Sequence, residues 1–202
     1  MTTTIIFVFL MLITVLAAAT WILIPNFLEQ PKYERKISQG PFQIRLYEDF
    51  LVSEIVVIGP QKKALREGFI PLARYIGGKD RYGDKISMTV PVMQKKVHSD
   101  SENKWLISFS MPSKYEYDTL PESKNKNVYP KRVTGKLIAS YTFNGHPTNI
   151  ILKEKEATLI QWLGKQNFVP KDTAIYSFYN DPMTPGFFRK NEILIEVEKL
   201  TP

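Results

Sequence analysis

The sequence contains no cysteine and only two histidines, His98 and His146. The first absence excludes a disulfide framework, thiolate metal sites and a cysteine nucleophile. The scarcity of histidine leaves no Cys-His pair and no convincing Ser-His-Asp arrangement to nominate. No His/Cys cluster has metal-ligand spacing, and no glycine-rich stretch has the pattern of a phosphate cradle. No catalytic residue is nominated, and a metal-binding residue is left open. Charge is also missing from one end: Glu29 is the sole charged side chain before Lys32.

What is present divides at about residue 30. Residues 4–24 carry no charged side chain. A run of about 20 such residues spans a hydrocarbon core of about 30 Å as a helix, with its backbone polar groups satisfied internally. Trp21 sits near the end, where aromatic rings favour the membrane interface, and Pro25-Asn26 stops the helix. The rival reading is a cleaved signal peptide cut after Ala17-Ala18-Ala19. Against it, no Lys or Arg precedes the run, and apolar residues continue at Trp21-Ile22-Leu23-Ile24. The favoured expectation is therefore residues 1–30 as a single-pass transmembrane anchor and linker, and residues 31–202 as one domain. Lys32, Arg35 and Lys36 follow the span, so the positive-inside rule places that domain in the cytoplasm.

The formal charge is +7, and all 27 basic residues lie from Lys32 onward with all but one of the 20 acidic ones. Such a balance suits anionic partners or a solvated basic surface. The basic residues are spread along the chain rather than interleaved with aromatics on one segment, which disfavours nucleic acid as a partner.

The domain reads as strands and two helices. Alternation predicts a half-buried strand over 42–47, and apolar runs predict strands over 51–58, 85–93, 105–111, 128–133, 137–143, 173–179 and 193–197. A helix is predicted over 61–76, with Leu65, Phe69, Leu72 and Ile76 on one face. Pro71 should bend it, and Gly77-Gly78 ends it. A second helix is predicted over 148–163, ended by Gly164. Polar stretches at 97–104 and 120–127 read as mobile loops. Leu65, Leu72, Ile76 and Gly77 correspond to Leu152, Leu159, Leu163 and Gly164 at one offset, and Gly59 precedes the first helix as Gly145 precedes the second. The fold class expected is α+β: a duplicated strand-strand-helix-strand unit forming a distorted antiparallel sheet or barrel with two packed helices, preceded by one transmembrane helix.

Several segments resemble a known family. They are Tyr33-Glu34, Ala64-Leu65-Arg66-Glu67, Tyr75-Ile76-Gly77-Gly78, Met88-Thr89-Val90-Pro91-Val92, Phe109-Ser110-Met111-Pro112, Asp181-Pro182-Met183-Thr184-Pro185 and Arg189-Lys190-Asn191-Glu192-Ile193. In this order they resemble the SOUL haem-binding protein family over residues 33–197. The resemblance implies a duplicated α+β fold and non-covalent binding of haem or a related tetrapyrrole in an apolar groove beside the first helix. By position it implies Arg66 and Arg74 near the propionates. Thr184 stands where relatives can carry a lysine, and no histidine matches an axial position.

Read as residues, Arg66, Ile70, Ala73 and Arg74 lie on a helix face rotated from the apolar stripe. Guanidinium groups there suit carboxylates by bidentate pairing; the alternative is a solvated edge with aliphatic patches. Met183 offers a flexible apolar contact or a weak sulfur ligand. The cofactor-binding candidates are thus Arg66, Phe69, Ile70, Ala73, Arg74 and Met183, in a membrane-tethered haem carrier or buffer. The alternatives are an enzyme acting on a tetrapyrrole or other amphipathic molecule, with Glu67 as first suspect, and a basic membrane-surface scaffold. Met88-Thr89-Val90-Pro91-Val92 reads equally as a pocket lining or a buried strand, and Asn191-Glu192 reads chiefly as structural.

Overall fold

A computed structural model describes residues 24–97 and 103–200, with helical backbone at positions 6, 7, 9–13, 16 and 20. Among the described residues no helix is long and apolar enough to cross a membrane. Most of the expected span over 4–24, and His98, lie outside the described residues.

The ten strands are β1 (Tyr33–Gln39), β2 (Phe42–Tyr47), β3 (Phe50–Ile58), β4 (Val92–Val97), β5 (Lys104–Ser110), β6 (Tyr129–Val133), β7 (Leu137–Asn144), β8 (Phe168–Pro170), β9 (Ile175–Phe178) and β10 (Lys190–Lys199). The two helices of the domain are α1 (Gln61–Ile76), between β3 and β4, and α2 (Asn149–Lys165), between β7 and β8. The sheet is antiparallel in the order β1-β2-β7-β10-β9-β4-β5-β3-β6, with β8 paired to β10.

This order makes the duplication explicit. In one half β3 leads into α1 and then the β4–β5 hairpin, ordered β4-β5-β3 in the sheet; in the other β7 leads into α2 and, after β8, the β9–β10 hairpin, ordered β9-β10-β7. The halves meet where β4 pairs β9, with Met93 opposite Ser177 and Gln94 opposite Tyr176. The strand that opens each half pairs with the other half, β2 with β7 and β6 with β3.

Period-two alternation sends the two sides of each strand to different environments. One side, with Ile44, Ile107, Phe109, Ala139, Tyr176, Ile193 and Ile195, packs against Leu72, Tyr75, Leu152, Leu159 and Leu163 of the helices in one continuous core. The other side carries Tyr47, Ile138 and Leu194, packed with Phe50 and Ile175 and with no residue of α1 or α2. No described residue before Ile37 belongs to either core cluster. Both core clusters of described residues lie within residues 37–197.

Helix boundaries follow local chemistry. Gly59-Pro60 precedes α1, where the missing proline donor costs nothing. Gly78, at φ +81°, supplies the left-handed turn after it. The helix runs on through Pro71. Thr148 caps α2, its hydroxyl accepting from the Ile151 amide at 3.3 Å.

Four expectations change. The strand expected over 85–93 begins instead at Val92. The segment before it is irregular: Thr89 donates its hydroxyl to the Ser110 carbonyl, the Val90 amide to the Glu29 carbonyl, and Pro91 has no amide to give. The buried face of α1 is Gln61-Ala64-Gly68-Leu72-Tyr75-Ile76, so of the expected stripe Leu72 and Ile76 are buried, Leu65 is half-buried and Phe69 is exposed. The loop over 120–127 is tied to α1 and to the turn after it: the Tyr75 hydroxyl donates to the Pro121 carbonyl at 2.6 Å, and the Lys124 amide donates to the Asp80 carbonyl at 2.6 Å. Finally, β1 and β8 are strands that alternation does not announce. The sequence of β1, Tyr-Glu-Arg-Lys-Ile-Ser-Gln, is an almost fully exposed edge.

Candidate functional site

Two surfaces have the make-up of ligand sites. The first is the outer face of α1. With Ala64, Gly68 and Leu72 turned into the core, spacing by four puts Arg66, Ile70 and Arg74 in one outward row. Ile70 is 50% exposed and Phe69 39% exposed. The Phe69 ring stands 5.3 Å from that of Phe109, so it bridges core and surface. Ala73 is half-buried against the core. The structure therefore places Arg66, Phe69, Ile70, Ala73 and Arg74 on one continuous stretch of helix.

The two arginines differ in freedom. Arg74 grips Asp80 bidentately, Nε to Oδ2 at 2.8 Å and Nη2 to Oδ1 at 2.7 Å. That hydrogen bond holds the Asp80 carboxyl below its usual value, against desolvation, and raises Arg74. Arg66 is exposed and has no carboxylate within 4.0 Å among the described residues. Glu67 pairs with Lys63 at 3.6 Å on the solvent side.

Met183 lies on the loop between β9 and β10 and is 78% exposed. Pairing places that loop at the end of the sheet where Phe178 faces both Asn191 and Val92. The turn of α1 that carries Arg74 leads to the same end, where the Ile86 amide donates to the Ile76 carbonyl. Arg189 clamps the loop, its Nε donating to the Thr184 carbonyl at 2.6 Å and its Nη2 to the Pro182 carbonyl. The Met183 amide donates to Asp181 Oδ1 at 2.7 Å. The exposed His146 abuts this loop at Gly186, where a Cβ would meet its ring at 2.7 Å.

The second surface is the open face of the sheet, which sequence reasoning left unassigned. A cleft of about 250 Å³ lies there. Its walls include Tyr33 of β1 and Lys131, Arg132 and Val133 of β6, the two ends of the strand order. The sheet thus curls into a half-barrel that brings its edges across from one another. Tyr47, Ile138, Tyr179 and Leu194 contribute apolar surface.

Beside the cleft lies a buried ion pair. Arg45 and Glu192 are bidentate, Nη1 to Oε2 and Nη2 to Oε1, both at 2.9 Å, and Glu192 is 1% exposed. Tyr179 donates its hydroxyl to Glu192 Oε2 at 2.6 Å, and Thr142 donates to Oε1 at 3.0 Å. Arg45 Nε also donates to Gln43 at 2.8 Å, and the Tyr33 ring covers its guanidinium at 4.4 Å. Burial pushes the Glu192 carboxyl up, but the hydrogen bond and charge of Arg45 prevail and bring it down to about 2. Burial raises the Tyr47 phenol to about 12 and Tyr179 well above its ordinary value, so both stay protonated at neutral pH, Tyr179 donating to Glu192 and Tyr47 accepting from Arg45 Nη1 at 3.3 Å. Glu192 belongs to the Arg189-Lys190-Asn191-Glu192-Ile193 segment, and its partner sits 147 residues away. The faint signal for it is that Gln43, Arg45 and Tyr47 share one side of β2.

Together these features define a class: a duplicated α+β half-barrel with one face covered by helices and one face open. The model of the SOUL heme-binding protein family matches residues 28–196, and the chain belongs to that family. Heme-binding protein 1 of Bos taurus is 26% identical over 137 residues, covering 66% of this chain and 71% of the relative. The fold is also that of the EcmrR C-terminal domain, with a TM-score of 0.59 at 14% identity over 83% of this chain and 99% of that one. A hydrolase from Listeria innocua has it too, with a TM-score of 0.55 at 13% identity over 81% and 94% of the two chains.

Proposed function

We propose that the protein is a carrier or buffer that binds haem or a related tetrapyrrole non-covalently on the outer face of α1, at a membrane to which residues 1–30 tether it. One observation carries the site: two adjacent large apolar side chains, Phe69 and Ile70, are left exposed on a helix whose flanks are guanidinium groups. A tetrapyrrole needs an apolar bed for its ring and cations for its carboxylates. Phe69, Ile70 and Ala73 supply the bed. Among the described residues Arg66 has no carboxylate partner, whereas Arg74 must share itself with Asp80. Met183 is the apolar contact from the late loop. Family membership and the name of the bovine relative support haem as the ligand. The open-face cleft, at about 250 Å³, is smaller than the roughly 300–1,000 Å³ of pockets that enclose drug-sized ligands. A tether would hold the site beside the bilayer, where free haem partitions, and the basic residues that follow the span favour a cytoplasmic domain.

The test is a haem titration of residues 29–202, followed by Soret absorption and quenching of Trp105 and Trp162. The expected result is saturable one-to-one binding. Arg66→Ala should weaken it roughly tenfold, the worth of one charge-assisted hydrogen bond of about 1.5 kcal/mol. Ile70→Glu should weaken it further, since it sets a carboxylate on the apolar bed. Lack of saturation would overturn the haem reading, and unchanged affinity in both variants would move the ligand off α1.

A further inference from the structure

The open-face cleft is a site in its own right, separated from α1 by the sheet. Its floor is apolar, formed by Phe50, Met93, Ile138, Ile175 and Leu194 with the faces of Tyr47 and Tyr179. Its rim is cationic: Lys95, Lys131, Arg132 and Lys136 line it against a single acidic side chain, Glu54. Three of these cations are engaged, Lys95 with Asp172, Lys131 with Glu54 at 3.4 Å and Lys136 with Glu196 at 2.6 Å. Arg132 is exposed and has no carboxylate within 4.0 Å among the described residues. Both carboxylates near the floor are engaged: Glu54, which is buried and lines the cleft, with Lys131 at 3.4 Å, and Glu192, beside the cleft, with Arg45. A cationic ligand would find no free carboxylate at the floor and a like-charged rim. An anion with an apolar tail would find a complement at both ends.

The approach to the cleft has a second feature. Gln30 and Pro31 line both it and an adjoining groove that shares Arg132. The strap just before them is fixed, with Glu29 bridging to Thr89 and its carboxylate accepting from the Ser113 amide at 2.6 Å. The chain thus enters the domain from its apolar N-terminal segment at the mouth of the cleft.

We propose that this cleft binds a single-chain amphipathic carboxylate, the tail over Ile138 and Leu194 and the headgroup on Arg132 at the mouth that the cleft shares with the adjoining groove. The volume, about 250 Å³, suits one chain rather than a ring system. Neither the cleft nor its rim is shared with the haem face, so the two ligands bind independently.

Decanoate is the probe, read by methyl NMR and calorimetry on residues 29–202. Decanoate should bind saturably and shift the methyls of Ile138, Ile175 and Leu194, while those of Leu65 and Ile70 stay in place. Decyltrimethylammonium, with the same tail and opposite charge, should bind at least roughly tenfold more weakly, a difference of about 1.4 kcal/mol. Arg132→Gln lies on an exposed edge, outside the core. It should cost decanoate several-fold in affinity and leave the haem titration unchanged. Absence of saturable shifts at the cleft methyls, equal binding of the two probes, or an unchanged affinity in Arg132→Gln would each overturn the site. Loss of haem binding with decanoate retained would instead remove the haem reading alone.

Discussion

Glu192 shows how much one side chain can depend on its neighbours. A buried carboxylate is costly unless it is paired and hydrogen-bonded, and Arg45, Tyr179 and Thr142 supply both conditions. Its folded-state value of about 2 lies below the ordinary 4.5, so its stabilisation is complete above about pH 4.5 and is lost as pH falls toward 2. By that linkage the contribution at neutral pH is on the order of 3 kcal/mol. Urea unfolding of residues 29–202 and of Glu192→Gln should therefore differ by about that amount at pH 7. The difference should shrink steadily between pH 4.5 and 2.5; a constant gap across that range would show that Glu192 is not held ionised by Arg45. Little of this was legible beforehand. Alternation in Phe-Gln-Ile-Arg-Leu-Tyr assigns Arg45 to a solvent side, because it reports which side of a strand a residue takes and not what covers that side. Here the covering is Tyr33, from the edge strand β1 that alternation also missed.

On α1 the boundaries were readable, because Gly59-Pro60 and Gly77-Gly78 are chain punctuation with local causes. The rotation of the helix was not. Summed hydrophobicity favours a face with Phe69 inward, whereas the observed contact turns on Gly68, a residue that contributes nothing to such a sum. A Cβ at Gly68 would lie 2.5 Å from Ile107 Cγ1 and 2.8 Å from Ile107 Cβ. Ile107 is itself fully buried in β5, between Ile55 of β3 and Gln94 of β4. The missing side chain is what lets the helix lie close to the sheet, and that closeness leaves Phe69 and Ile70 outside. Gly68→Ala gains about 1 kcal/mol of helix propensity but incurs an overpacking cost of about 1–3 kcal/mol. With backbone-proximal atoms of Ile107 in the way, the clash wins, and thermal unfolding should come several degrees lower. Gly164→Ala in α2 is the matched control: nothing lies within 4 Å of its Cβ position, so it should raise stability by up to about 1 kcal/mol. Equal stabilisation by both would mean that α1 is not in close contact with β5 at Gly68.

At the scale of the whole molecule, the duplication was legible because each half repeats one order of elements, and the spacing of Leu72 and Leu159 carries through to equivalent buried positions. The curl of the sheet was not, since it depends on β1 and β6 meeting across the open face. The relation of the domain to a membrane belongs to this scale too. The chain from Lys32 onward carries the whole of the basic excess, which gives it an attraction to anionic bilayers that salt screens. An inserted apolar helix of about 20 residues is held by burial instead, and salt leaves it in place. Flotation with vesicles containing phosphatidylserine separates the two forces. The full chain should float at both 0.1 and roughly 1 M salt, where the screening length falls from about 10 to about 3 Å. Residues 29–202 should float at low salt at most. If the full chain also leaves the vesicles at high salt, residues 4–24 are not an inserted anchor, and the basic surface alone accounts for membrane binding. If it stays while the domain is lost, the haem face and the open-face cleft both operate within tether reach of the bilayer, the phase in which amphipathic ligands collect.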